Sequence, residues 1–252
     1  MIREWIKSLD GLLRGDVTKL ASLQRGSIEV PSGGMLILII VLGAFYGVCM
    51  ASFAAFNRPA ADAILQMIAS AGKIPLLFLL TLLVTFPSLY VFNALIGSRL
   101  TLRAVWQLLI ATLAVMIAVL ASLGPVVAFF SVSTTGYDFM LMFNVFICAV
   151  SGFLGLKFLL FTLHRLTMVL EKESLQSEPG GALEKIEGRA FSGNVKVIFR
   201  VWVIVFALVG AQMSWVLRPF IGAPKMQFTW LRERNSNFFE AVLDATGRIL
   251  GD

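Results

Sequence analysis

Chemistry in this chain would have to come from very few side chains. His164 is the sole histidine, and Cys49 and Cys148 each stand inside an apolar run with no second ligand at metal spacing. A zinc site needs three or four convergent ligands, so no metal or haem is expected, and both cysteines read as small packing residues. No glycine-rich phosphate loop follows a strand, and no His/Glu/Cys cluster forms. The expectation is therefore a protein that is not an enzyme, with no catalytic residue, cofactor or metal. What remains is recognition: Trp230, Arg232, Arg234, Phe238 and Phe239 crowd aromatic faces and guanidinium forks into the last 35 residues. Such residues anchor protein interfaces, and they are read here as partner-binding.

The elements that must position them are set by oil. From Ile74 to Phe130 the only charged residues are Arg99 and Arg103. A bilayer core about 30 Å thick takes about 20 apolar residues of helix, so this block reads as two spans joined by a basic turn. The other long apolar runs share that solvent. With 58% hydrophobic and 14% charged residues, the chain is far from a soluble composition, and the fold class is all-α: a polytopic helical membrane protein with about five spans. The net charge of +6 is scattered beside apolar runs as topology determinants are, so no nucleic acid partner is expected.

In order, residues 1–34 form a cytoplasmic segment in which Ile2, Trp5, Ile6, Leu9, Leu12 and Leu13 share one helical face, suiting an interfacial amphipathic helix. The transmembrane domain, residues 35–217, has spans at 35–56, 74–96, 104–130, 139–163 and 197–217. Gly43, Gly47, Ala51 and Ala55 line one stripe of the first span and let another helix approach, by internal packing or as an oligomer seam. Residues 60–73 read as a loop. Pro87 should kink the second span by freeing the carbonyl of Leu83, with Thr81, Thr85 and Ser88 at hand to satisfy the opened turn. Gly124 and Pro125 end the third, and 131–138 is a loop without Lys or Arg.

The fourth helical pattern continues to about Leu170, and Lys157 sits where it can snorkel to the far surface. Residues 164–196 form a cytoplasmic polar loop in which Ala182 to Arg189 suit a short helix. The tail, 218–252, opens with a proline-rich exit and ends in an amphipathic helix that Asn237 can cap, with Phe239, Val242, Leu243, Thr246, Ile249 and Leu250 on one side.

Lys and Arg number 13 on the side of the N-terminus and 7 on the other. The positive-inside bias places the N-terminus in the cytoplasm and the C-terminus outside, in a bacterial cytoplasmic (inner) membrane. All fifteen acids fall outside these spans, which argues against an ion-coupled carrier. Asn93, Gln107, Asn144 and Gln212 are read as interhelical glue.

A cytoplasmic N-terminal segment, five closely spaced spans and an outside C-terminus, over residues 1 to 217, resemble the Yip1-like membrane proteins. The aromatic, basic tail departs from that family's short end. The resemblance implies a trafficking or membrane-organising role and supplies no site residues. The expected function is a non-catalytic integral membrane subunit or scaffold contacting partner proteins through its polar loop and tail. The alternative is a channel or permease subunit, served by a separate ATPase. Expected partners are the lipid bilayer and other membrane or membrane-associated proteins.

Overall fold

A computed structural model describes residues 2–15, 31–95, 102–177, 182–224, 226–233 and 236–251. Within them the chain is helical, without strands: α1 (Ile2–Leu13), α2 (Ser32–Asn57), α3 (Ala60–Leu95), α4 (Leu102–Ser133), α5 (Tyr137–Ser177), α6 (Ala182–Leu217) and α7 (Phe238–Gly251). Five of these, α2 to α6, contain runs long and apolar enough to cross a membrane. The protein is an all-α polytopic membrane protein, because only a helix satisfies its own backbone in hydrocarbon without closing a barrel. The centre of the basic turn, with Arg99, and the Pro179–Gly180–Gly181 interruption lie outside the described residues.

Several boundaries differ from the sequence reading. Residues 60–73 are not a loop but the first turns of α3, begun just after Pro59, whose carbonyl accepts from Ala63 N at 3.0 Å. Gly72 and Pro75 resemble breakers, yet a proline costs little where close packing holds the helix around it. Pro125 lies inside α4 rather than at its end, and the connection to α5 shrinks to residues 134–136. The polar segment 171–196 is helical outside residues 178–181, as the ends of α5 and α6. Once a helix has left the bilayer, its own hydrogen bonds still favour continuation over a loop.

The chain divides into two compact units. The first joins Met1–Leu38, Leu83–Val115 and Leu154–Phe206. In it Leu9 and Leu12 of α1 are buried while Ile6 and Leu13 stay half exposed, so α1 docks by part of its apolar face. Trp5 lies against Gly34, where any side chain would collide with the indole. Phe86 meets Trp106 edge-on at 5.1 Å. The carbonyl of Thr85, two residues before Pro87, accepts from the Trp202 indole at 2.9 Å and from the Ser88 hydroxyl at 2.7 Å. Thr81, which belongs to the second unit, bonds the carbonyl of Leu77.

The second unit joins Ile39–Leu82, Met116–Phe153 and Ala207–Asp252. Its core gathers Tyr46, Met50 and Phe53 of α2, Ile74 of α3, Leu120 and Val127 of α4, Met140 and Ile147 of α5, and Ile221 of the tail. Gly43 and Gly47 let α2 and α3 close on each other: a Cβ at Gly43 would press on Pro75 at 3.2 Å, and one at Gly47 would enter the backbone of Ser70. Ala51 is buried on that stripe and Ala55 is exposed. Phe139 stacks on Phe143, and Phe130 packs tilted against both, where α4 passes into α5.

Candidate functional site

The candidate site is the seam in the second unit where the tail lies against α2 and α3. An extended backbone carries carbonyls with no ladder partner, and burying them unpaired is costly. Here α3 supplies the donors. Gln66, Ser70 and Lys73, at helical spacing and all buried, form a polar stripe on an apolar helix. Gln66 Nε2 donates to the carbonyls of Pro219 at 3.1 Å and Phe220 at 2.9 Å, and Ser70 Oγ donates to Phe220 at 2.6 Å. Lys73 Nζ donates to Pro219 at 3.1 Å and to the carbonyl of Trp230. From the α2–α3 corner, Arg58 holds the carbonyl of Ala223 through Nε, at 2.9 Å, and Nη2. Between these ties Gly222 takes a φ of 82°, a left-handed geometry that glycine adopts without strain. A Cβ there would also crowd Gln66 at 3.1 Å and Ala54 at 3.2 Å.

Lys73 follows Ala60 by thirteen residues, about 20 Å of helix rise. It lies level with the middle of α2, since its neighbours Ser70 and Pro75 touch Gly47 and Gly43. With Asp62, it places ionisable groups on a helix that can cross the membrane, where the sequence reading had none. A non-helical segment at such depth is tolerated when protein covers it and satisfies its backbone, as these side chains do.

Four cations meet at this seam. Arg232 acts electrostatically on Arg58, Lys73 and Arg218, and with Arg218 and Arg58 on Tyr137. Burial first, and then the Arg232 charge, push the Arg58 guanidinium below the usual arginine range; the same two causes act on Arg218. Both remain cations at neutral pH. Arg218 also stacks over Trp215, 3.5 Å from the ring centroid, and donates to the carbonyl of Glu233. Even so, Arg58 Nη1, Arg218 Nε and Arg232 Nη2 are buried without a hydrogen-bond partner.

Beyond the seam, α7 begins as its sequence implies: Asn237 Oδ1 accepts from Glu240 N at 2.9 Å. Arg248 forks onto Asp138 at the start of α5, at 2.8 and 3.0 Å, and Asp138 holds the guanidinium above its usual range. Ala245 is buried, and the Thr246 hydroxyl meets the Met142 sulfur. The helix therefore docks through Ala245, Thr246 and Arg248, leaving Phe239, Leu243 and Ile249 exposed. The apolar side read from the sequence is split: its bulkiest members face outward.

Among the sequence-nominated residues, Trp230 is exposed and edge-on to Phe228 at 5.6 Å, while its backbone is tied by Lys73. Arg232 belongs to the cation cluster. Phe238 and Phe239 pack edge-on at 5.5 Å at the start of α7. Arg234 lies outside the described residues, as does the side chain of Asn93. Asn144 is spent on packing, accepting from the Tyr46 hydroxyl at 3.0 Å and donating to the carbonyl of Met140 at 2.8 Å. Gln107 is buried, and Lys157 and His164 are exposed. Sequence reasoning missed Arg58, Gln66, Ser70 and Lys73. For the last three the signal was the i, i+4, i+8, i+11 run Asp62, Gln66, Ser70, Lys73, obscured by reading 60–73 as a loop. No group of three or more potential metal ligands occurs among the described residues. Comparison with protein-family models, with curated proteins and with solved structures finds no match.

Proposed function

We propose that the protein is a non-catalytic integral membrane subunit or scaffold, whose C-terminal tail presents a fixed apolar surface to a second membrane or membrane-associated protein. One observation carries this reading. The tail's backbone is tied down by Arg58, Gln66, Ser70 and Lys73 and its helix by Arg248, while Trp230, Leu231, Phe239, Leu243 and Ile249 remain exposed on it. Ordering a segment before it meets a partner lowers the entropy cost of binding. Exposed aromatic and aliphatic residues on a rigid frame are what an interface core uses. A membrane-organising role fits the same arrangement. The charge bias supports a cytoplasmic N-terminus and an outside tail in a bacterial inner membrane, with the 171–196 segment as a second contact on the cytoplasmic side.

The test leaves the seam intact and changes exposed residues only. Full-length protein is extracted in mild detergent, with Trp230→Ala and Leu243→Asp variants beside it, and accompanying proteins are identified by mass spectrometry. A protein that accompanies the wild type and is lost from both variants is the expected result. Equal recovery from wild type and variants, or no accompanying protein at all, would overturn the reading.

A second reading, a channel or permease subunit, is favoured by the charged stripe Asp62 to Lys73 on a helix long enough to cross the membrane. Solute uptake in proteoliposomes, abolished by Lys73→Met and kept by Leu243→Asp, would favour it over the scaffold.

A further inference from the structure

We infer that Arg58, Arg218 and Arg232, together with Lys73, form a binding site for a phosphate group. The inference goes beyond the scaffold reading and does not depend on it. Two independent observations meet here. The first is charge: Arg232 lies within electrostatic reach of three other cations, and among the described residues none of the four makes an ion pair. Asp62 acts on Arg58 more weakly than Arg232 does. The second is hydrogen bonding: each of the three guanidinium groups keeps one buried N–H donor without an acceptor. A buried charged donor left unpaired is among the most costly features a fold can keep. Three of them beside a fourth cation describe a constellation short of an anion.

The chemistry of that anion follows from the donors. Guanidinium forks match the oxygens of phosphate, and a tetrahedral group offers enough of them to answer three arginines at once. A carboxylate has two oxygens and one charge, too few for the set. Tyr137 lies within electrostatic range of the same three arginines. The phosphate can be carried by a lipid headgroup at the edge of the bilayer or arrive free in solution, and the two sources share this chemistry.

The experiment uses the full-length protein in neutral detergent at constant ionic strength. One arm titrates inorganic phosphate and follows thermal unfolding. The other adds phosphatidylglycerol and counts bound lipid by native mass spectrometry. One-to-one binding in either arm is expected, saturation by inorganic phosphate marking the free group and retention of phosphatidylglycerol alone marking the lipid. Arg232→Gln should weaken binding at least about tenfold, while Arg3→Gln, at an exposed position of α1, should leave it unchanged. Phenylglyoxal labelling of the wild type needs no variant: ligand should slow modification of Arg218 and Arg232 but not of Arg248. Absence of one-to-one binding in both arms, wild-type affinity in Arg232→Gln, or labelling indifferent to ligand would each overturn the inference.

Discussion

Lys73 and Trp230 stand 157 residues apart in the chain, and the ammonium of the first donates to the backbone carbonyl of the second. With its bond to Pro219, this lysine spans both ends of the tail's extended segment. A cation buried to 6% exposure is stable because two carbonyls receive it, and those carbonyls are stable because it is there.

Replacing Lys73 by Met should therefore loosen the tail. The lost charge relieves its own desolvation, but two buried carbonyls lose their donor, and the net cost should be about 1–3 kcal/mol. Limited proteolysis between residues 219 and 232 should accelerate in detergent while the rest of the chain stays resistant. Unchanged cleavage would mean that Gln66, Ser70 and Arg58 hold the segment without it.

At Gly47 any side chain must enter the backbone of Ser70 and Ala71. Neither atom set belongs to a flexible side chain, so Gly47→Val should force α2 and α3 apart. Monodisperse yield on size exclusion should collapse, whereas Gly33→Ala, with open space around it, should behave as wild type. A folded, monodisperse Gly47→Val protein would contradict the close approach.

Asn144 gives a test of glue against transport. Its side chain is occupied by Tyr46 and Met140, so Tyr46→Phe should cost about 1 kcal/mol, the usual net value of one hydrogen bond. The readout is a modest fall in unfolding temperature with the oligomeric state unchanged. A loss of solute flux without loss of stability would instead assign Asn144 to a pathway.

Helix α7 should depend on its cap. Asn237→Ala removes the acceptor for Glu240 N and should destabilise the first turn by about 1 kcal/mol. Hydrogen exchange should quicken at residues 238–241. Exchange around Arg248 should stay slow, because Asp138 still holds that end; uniform quickening would show that the cap governs docking too.

The sequence by itself determined the solvent, the helical class and the five apolar crossings, since hydrocarbon length and backbone satisfaction are properties of composition and run length. It also determined local devices that act within a few residues, such as the Asn237 cap and the close-packing glycines at 43 and 47. What it left open is what long-range contact decides. Residues 60–73 read as a loop, yet they are helix, with Ser70 and Pro75 packed against Gly47 and Gly43 of α2. Leu243 and Ile249 share one apolar side on periodicity, yet α7 docks through Ala245, Thr246 and Arg248, the last paired with Asp138 110 residues upstream. The gathering of Arg58, Lys73, Arg218 and Arg232 is invisible in a linear charge count. Only the folding of an extended tail onto a helical corner brings like charges together, and pairing information of that kind resides in no local window.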